Sequence, residues 1–207
     1  MSEARRDHWQ DVYRTKAVDS VSWFQPHPEP SLDALDRLGA GLGHAFIDIG
    51  GGASTLAATL AEGGCDDVAV LDISEAALAH ARQQAGDAGS RIEWIAADIT
   101  DWRPQRPRGV WHDRAVFHFL TDAADRASYR SALHAGLAPG GLAIIATFAP
   151  DGPEKCSGLT VQRYDAPRLA EELGDELTLI EHWRETHTTP WGSEQAFTWA
   201  AFRKRTQ

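Results

Sequence analysis

The sequence has few cysteines, a deficit of positive charge and no long hydrophobic run. Its 207 residues include only Cys65 and Cys156, too few for a disulfide framework or a cysteine-rich metal cluster. The 20 Lys and Arg are outnumbered by 30 Asp and Glu, for a net charge of −10. Binding duplex nucleic acid needs a basic surface, and crossing a bilayer needs a long apolar segment. We therefore expect neither a nucleic-acid nor a membrane partner.

What the sequence does contain is typical of a globular protein. Hydrophobic residues make up 43% and charged residues 24% of the chain, and a chain of this length can bury a sizeable core as one domain. The first residues, MSEARRDHWQD, lack the apolar core of a signal peptide, so we expect a cytoplasmic location. The nine histidines are scattered, and we expect no metal site.

The stretch Phe46–Thr55, FIDIGGGAST, combines an apolar strand, three glycines and a helix start. Glycines permit a sharp turn close to a ligand, and free amides at a helix start favour polar or negative groups. Gly50 and Gly52 fit the first two places of the dinucleotide fingerprint, but Thr55 stands where the third glycine is required. Asp48 would also repel a pyrophosphate. The turn therefore favours a cationic nucleoside, unless Asp48 is merely a solvated loop acid.

Strand-like and helix-like segments alternate along the chain, which predicts a parallel, doubly wound sheet with right-handed crossovers. After the first strand, at Phe46, the predicted strands are Val68–Ile73, Arg91–Ile99, Gly109–Val116 and Leu142–Phe148, the last preceded by a Pro139-Gly140-Gly141 turn. The predicted helices are Glu3–Lys16, one capped by Ser31, one ending near Glu62, Glu75–Ala85, Ala123–Leu137 and Asp165–Leu173. Leu177–Thr188 and Ser193–Arg203 predict an antiparallel hairpin at the edge of the sheet.

Three acids, Asp48, Asp72 and Asp98, stand at the ends of three consecutive predicted strands. Ligands of parallel sheets bind beyond the carboxyl ends of the strands, where an acid often binds ribose hydroxyls. Asp72 suits that role. Asp98 can accept from an exocyclic amine while the amide of Ile99 donates to a ring nitrogen, a pairing that selects adenine. Each acid alone could instead be a helix cap or a surface acid.

The motifs that carry this pattern are DIGGGAS (48–54), VLDIS (70–74), AADIT (96–100), VWHDRAVFHFL (110–120) and APGGLAII (138–145). In them the sequence resembles the class I S-adenosylmethionine-dependent methyltransferases, with Ala53 and Ser54 in place of a further glycine. The resemblance implies a Rossmann-like seven-stranded sheet whose last strand is antiparallel. It also implies S-adenosyl-L-methionine as cofactor, with S-adenosyl-L-homocysteine as product. The implied cofactor-binding residues are Asp48, Gly50, Gly51, Gly52, Ser54, Asp72, Ile73, Asp98, Ile99 and His112, with Asp48 and the glycines at the methionine part.

Residues after the fourth strand usually border the methyl acceptor in this family. The chain lacks the Pro-Pro-Tyr type of motif common in the amine- and nucleic-acid-modifying branches. We expect a small-molecule acceptor with a sulfur nucleophile; the alternatives are a protein lysine and a non-catalytic cofactor-binding module. His118 is the predicted general base, unless it is a packed histidine. Asp113 and Arg114 are predicted beside it in the catalytic site, or they fix the strand end or the methionine part.

The remaining predictions concern the acceptor site and the domain plan. Trp9, Tyr13 and Trp23 are expected in an N-terminal flap over the cleft, with core packing as the alternative. Phe117, Arg163 and Tyr164 are further candidate substrate contacts. The domain plan is one methyltransferase domain over residues 1–207: a helical flap and lead-in (1–42), a cofactor-binding core (43–150), and a substrate loop, helix and hairpin (151–207). We expect a monomer or homodimer.

Overall fold

The computed structural model describes residues 2–15 and 17–206, and its strands form a seven-stranded sheet and a small two-stranded ribbon. The strands are β1 (Phe46–Ile49), β2 (Val68–Asp72), β3 (Ile92–Ala96), β4 (Arg108–Arg114), β5 (Leu137–Phe148), β6 (Lys155–Cys156), β7 (Leu159–Thr160), β8 (Leu177–Thr188) and β9 (Glu194–Lys204). Across the sheet their order is β3, β2, β1, β4, β5, β9, β8, and β6 pairs with β7 in the ribbon. Strands β1 to β5 are parallel, and β9 is antiparallel to both neighbours. The predicted fold class is confirmed.

The helices cover both faces of this sheet. They are α1 (Ser2–Thr15), α2 (Glu29–Arg37), α3 (Leu56–Glu62), α4 (Glu75–Gln84), α5 (Ala123–Gly136) and α6 (Ala166–Leu173). Alternate residues of a strand point to opposite faces. Phe46 therefore packs in the core beneath α2 to α4, whereas Ile47 packs in the core beneath α5 and α6. Buried on both faces, β1 is apolar apart from Asp48, as parallel strands usually are.

Several predicted boundaries differ from the structure. Ser31 does not cap α2, because the helix starts at Glu29 and tolerates Pro30 in its first turn, where no intrahelical N–H bond is needed. Strand β3 ends at Ala96, so Asp98 lies two residues beyond it instead of in it. The predicted turn before β5 is a shift in register within that strand. The predicted helix Glu3–Lys16 agrees with α1 except at Lys16, which lies outside the described residues.

The hairpin of β8 and β9 forms as predicted, but only one of its strands lies at the edge of the sheet. β9 is inserted between β5 and β8. Its middle, residues 197–202, is continuously buried, which is the pattern of an internal strand. None of the described helices is both long and apolar enough to cross a membrane.

Candidate active site

The glycine turn after β1 is packed too tightly for any side chain. A Cβ atom on Gly51 would lie 2.7 Å from Asp48 Oδ2 and 2.8 Å from Val70 Cγ1. Gly50 and Gly52 have φ angles of +67° and +39°, in the left-handed region that favours glycine. The turn thus holds its backbone directly against a carboxylate.

Asp48 pairs with His112 beneath this turn. The two residues are register partners on β1 and β4, and both are buried. His112 Nδ1 lies 2.7 Å from Asp48 Oδ1, so the ring donates to the carboxylate and is held in one orientation. His112 Nε2 is buried and has no hydrogen-bond partner among the described residues. His112 is therefore the partner that a buried Asp48 needs.

Asp72 lies at the carboxyl end of β2 and lines the main cavity of the site. Its Oδ1 accepts from the Ser74 amide at 2.8 Å, and its Oδ2 would lie 2.9 Å from a Cβ on Gly52. Burial raises the pKa of Asp72 to about 7, although the Ser74 and Gly52 amides oppose the shift. This carboxyl group consequently changes its charge near neutral pH.

Asp98 and Ile99 line the same cavity further along the sheet edge. Asp98 Oδ1 accepts from the amide and the hydroxyl of Thr100, at 3.0 and 2.8 Å. Its Oδ2 lies 3.1 Å from Nη1 of Arg5, on α1. The three predicted acids are thus brought to one rim. Arg5 had no distinguishing feature in the sequence.

Helix α1 and the segment after it form an aromatic wall over the cavity. Trp9, Tyr13 and Trp23 all line it, and Trp9 packs edge-on against Trp23 and Phe119, with ring centroids 5.7 and 5.0 Å apart. The Tyr13 hydroxyl reaches the glycine turn, where it would lie 2.9 Å from a Cβ on Gly52. This placement is what a flap requires, and the flap itself stays a prediction.

The other end of the cavity is lined by Arg114 at the end of β4 and by residues of the later strands. Phe148, Cys156, Gln195 and Phe197 were not among the predicted site residues, yet all four line this cavity. Gln195 could have been suspected, since it is a polar residue that directly precedes the mostly apolar middle of strand β9. Its side chain is buried, and its Oε1 atom has no partner among the described residues.

A second, adjoining cavity lies at the glycine turn. Asp48, Gly51, Ser54 and His112 line it, and the residues shared between the two cavities are Tyr13, Trp23, Gly50 and Arg114. Gly52, which lines neither, packs against Asp72 and Tyr13. Ser54 lies two residues before α3, whose N-cap is Thr55, and its Oγ accepts from the Leu56 amide at 3.2 Å. The predicted cofactor residues therefore lie in or beside one continuous cleft.

Asp113, predicted to be catalytic, lies below the cleft and fixes the chain after β4. It accepts from the Val116 amide at 2.8 Å and from the Tyr129 hydroxyl at 2.6 Å. Burial raises its pKa to about 6, while the Tyr129 hydrogen bond opposes the shift. Of the two predicted roles for Asp113, its position favours that of fixing the strand end.

Three predicted substrate contacts also lie outside the described cavity lining. Phe117 and Tyr164 are fully buried in the core beneath α5 and α6, with ring centroids 5.4 Å apart. Arg163 donates to the Gly152 carbonyl at 3.1 Å and pairs with Glu154. These positions do not support substrate contact. For Phe117 and Tyr164, the sequence pattern could not distinguish an aromatic residue of a cavity wall from one in the core.

His118 is buried against the end of β5. Its Nδ1 accepts from the Phe148 amide at 3.2 Å. Burial, reinforced by the positive charge of Arg114, lowers the pKa of His118 to about 3. A group with so low a pKa is a weak general base. The position favours the packed histidine, although the catalytic role stays a prediction. Within residues 2–15 and 17–206, no cluster of three His, Cys, Asp or Glu could hold a metal ion.

Comparison with known proteins identifies a methyltransferase domain in part of the chain. Residues 46–141 match a family model described as a methyltransferase domain. A methyltransferase structure from Anabaena variabilis aligns with TM-score 0.78 and 15% identity, over 99% of this chain and 95% of that one. A structure titled for the conversion of a disulfide bond into a thioacetal group during echinomycin biosynthesis has TM-score 0.75 and 21% identity, over 97% and 91%. Among curated proteins, none matches.

A third structure, the 1,6-didemethyltoxoflavin-N1-methyltransferase of Burkholderia thailandensis, has TM-score 0.68 and 20% identity, over 99% of this chain and 85% of that one. It was crystallised with 1,6-didemethyltoxoflavin and S-adenosylhomocysteine. At these identities the structures share the fold. The chain has the fold of the class I S-adenosylmethionine-dependent methyltransferases, and residues 46–141 match a methyltransferase domain.

The residues of the cleft fit the cofactor of this family. Close approach of a ligand to the backbone requires a turn without side chains, which the contacts at Gly51 enforce. Asp72 and Asp98 offer buried carboxylate oxygens, which accept well from hydroxyl and amine groups. His112 Nε2 offers a further unpartnered polar atom at the turn.

Proposed function

We propose that the protein transfers a methyl group from S-adenosylmethionine to a small-molecule acceptor held in the cavity beneath α1. The cofactor supplies a methyl group on a positively charged sulfonium, from which an acceptor can take it by in-line displacement. The chain's own contribution is to position both molecules and to exclude water. The observation that carries the proposal is the row of three buried carboxylates, Asp48, Asp72 and Asp98, along one glycine cradle.

Each carboxylate has its own part in cofactor binding under this proposal. Asp48, oriented by His112, and the amides of the glycine turn bind the methionine part. Asp72 accepts from the ribose hydroxyls. Asp98 accepts from the adenine amine, with the Ile99 amide beside it. The fixed hydrogen bonds from Ser74 and Thr100 hold these two acids in place before the ligand arrives.

The walls of the cavity favour a small acceptor with an apolar body. Trp9, Trp23 and Phe119 pack against each other on one side, and Phe148 and Phe197 lie at the other end with ring centroids 4.9 Å apart. The similar toxoflavin enzyme is a small-molecule methyltransferase by name. A protein lysine receives less support, since its ammonium group would be repelled by the buried Arg114.

The nucleophile we propose is sulfur. Apart from Asp72 and Asp98, the described lining contains no carboxylate or histidine that could remove a proton. A thiol ionises near pH 8.5 without help from the protein, and a thiolate is a strong nucleophile. The similar echinomycin structure also concerns sulfur chemistry, by its title. An alcohol or a protonated amine would need a base, which the lining does not offer apart from Asp72 and Asp98.

Turnover of methyl-labelled S-adenosylmethionine tests the proposal. Dithiothreitol and a panel of aromatic thiols are compared with the corresponding phenols, anilines and a cell lysate. Label in extracted methyl thioethers supports a sulfur acceptor. Label only in protein bands would overturn the small-molecule acceptor and favour the lysine alternative, and tight S-adenosylhomocysteine binding without any turnover would favour a binding module. Asp48→Ala should abolish labelling, whereas Asp66→Ala, at an exposed position, is the matched control.

A further inference from the structure

The guanidinium group of Arg114 is buried with hydrogen-bond donors left over. Its side chain is 10% exposed. Nη1 lies 3.4 Å from the Trp23 carbonyl, and Nη2 lies 3.6 Å from Glu185 Oε1. Nε and Nη2 have no hydrogen-bond partner among the described residues. Arg114 is therefore a positive charge at the cavity whose bonding capacity is only partly used.

Glu185 does not satisfy this group. Charge-assisted bonds between nitrogen and a carboxylate oxygen usually measure about 2.7–2.9 Å, well below the observed 3.6 Å. Glu185 also accepts from the Trp199 indole N–H, which turns one of its oxygens away from Arg114. The guanidinium is further held with its Cζ atom 4.9 Å from the centre of the Phe197 ring. The guanidinium is thus fixed in position in the cavity lining, and its Nε and Nη2 atoms have no hydrogen-bond partner among the described residues.

Gln195 adds a second unpartnered polar group to the same end of the cavity. Its side chain is 8% exposed and lines the cavity, and its Oε1 atom has no partner among the described residues. The surroundings are otherwise aromatic, with Phe119, Phe148 and Phe197 in the lining. Buried polar groups are normally hydrogen-bonded, so an unsatisfied pair in an apolar wall indicates that a ligand supplies the partners.

We propose that Arg114, with Gln195 in the same cavity lining, binds an anionic oxygen of the methyl acceptor. The acceptor is then a small, largely apolar or aromatic molecule that carries a carboxylate or a comparable acidic group. This inference rests on the proposed function, and it adds the chemical class of the acceptor. Arg114 acts as a specificity residue, because an analogue without the anion would leave a buried cation uncompensated.

The methionine carboxylate of the cofactor has the same chemistry and is the other possible source of the anion, because Arg114 also lines the second cavity. The position of the guanidinium favours the acceptor. Besides the Trp23 carbonyl, the Arg114 side chain contacts Glu185 on β8 and Phe197 on β9. Both strands are separated from β1 and its glycine turn by β4 and β5.

The test measures binding to protein saturated with S-adenosylhomocysteine. Calorimetry compares benzoate and 3-phenylpropionate with benzamide and 3-phenylpropionamide, which have nearly the same shape but no charge. We expect at least one acid to bind about tenfold or more tightly than its amide. Arg114→Met should remove this preference, while Arg184→Met, a partly exposed arginine paired with Asp151 on the surface, should keep it.

The remaining outcomes separate the alternatives. Equal binding of acids and amides, or no binding by either acid, would overturn the proposal. Weaker binding of S-adenosylhomocysteine itself in Arg114→Met would also overturn it and assign the residue to the cofactor. If the wild-type protein bound no S-adenosylhomocysteine, that result would contradict the proposed function itself and not only the role of Arg114. If Arg114→Met does not fold, two other variants can replace it in the test. These are Arg114→Lys and the double variant Arg114→Met with Glu185→Gln, because neither leaves a buried negative charge on Glu185 without a positive partner.

Discussion

Arg5 Nη1 and Asp98 Oδ2 lie 3.1 Å apart and connect α1 to the acid that we assign to adenine. Arg5 also pairs with Asp125 at the start of α5. A second attachment is made by Gln10, whose Oε1 atom accepts from the hydroxyl of Ser74 and the amide of Ala76. Helix α1 is thus attached to the adenine and ribose parts of the cofactor cleft, so that opening the cleft requires these polar contacts to break.

Arg5→Met should speed the release of S-adenosylhomocysteine. The Arg5 side chain is 20% exposed and that of Asp98 only 2%, so we expect this ion pair to contribute more than a typical surface pair. We expect its loss to lower the barrier to release by about 1 kcal/mol, which corresponds to about a fivefold higher dissociation rate. Stopped-flow tryptophan fluorescence measures this rate, because Trp9 and Trp23 line the cavity. Arg6→Met, at an exposed position on the same helix, should leave the rate unchanged. Equal rates in all three proteins would rule out α1 as a flap.

Gly51→Ala should disturb the fold and the cleft together. The added methyl group would lie 2.7 Å from Asp48 Oδ2 and 2.8 Å from Val70 Cγ1, and such overpacking costs about 1–3 kcal/mol. A lower thermal midpoint and weaker S-adenosylhomocysteine binding are both expected. Gly43→Ala is the control, since a Cβ there meets nothing within 4 Å. Normal cofactor affinity in a folded Gly51→Ala protein would contradict the proposed cradle.

Much of the fold was predictable because its signals are local. The apolar strands, the Gly50–Gly52 turn and the cap of α4 at Ser74 depend on neighbouring residues alone. The insertion of β9 between β5 and β8 was not, since strand order depends on pairing between distant segments. Ser31 was misplaced because proline is compatible with both a turn and the first turn of a helix.

The donor half of the site was more predictable than the acceptor half. Asp48, Asp72 and Asp98 follow consecutive strands, and the geometry of parallel sheets brings such positions together. Gln195 and Arg5 come from segments distant in sequence, and only the closed fold places them at the cleft. Phe117 and Tyr164 are the opposite case: they were predicted at the site from their place in the sequence, but their side chains are buried in the core.

Substitutions at His118 distinguish a structural role of this residue from a catalytic one. His118→Leu should destabilise the protein by about 1–3 kcal/mol, because the Phe148 amide would lose its acceptor. His118→Asn should recover part of that loss with its side-chain oxygen. With the donor saturating, both variants should turn over within about threefold of wild type, whereas loss of a general base costs about 100-fold or more. Chemical denaturation and single-turnover rates measure the two effects, and a 100-fold loss in both variants would restore His118 as the base.

The pH dependence of cofactor binding should report on Asp72. Because burial raises its pKa to about 7, the folded protein keeps a proton that the unfolded chain releases near pH 4. The contribution of Asp72 to stability therefore declines as the pH rises from about 4 to 7. Cofactor binding has the opposite sign, since the ionised carboxylate is the better acceptor for ribose hydroxyls.

If only ionised Asp72 binds well, S-adenosylhomocysteine affinity should be about tenfold lower near pH 6 than near pH 8. Calorimetry at several pH values measures this slope. Asp72→Asn should bind more weakly at high pH and lose the slope, because its amide does not titrate. It should also gain thermal stability relative to wild type above about pH 7, where the wild-type protein carries the buried charge. A slope that persists in Asp72→Asn would assign the titration to another group and remove Asp72 from the ribose site.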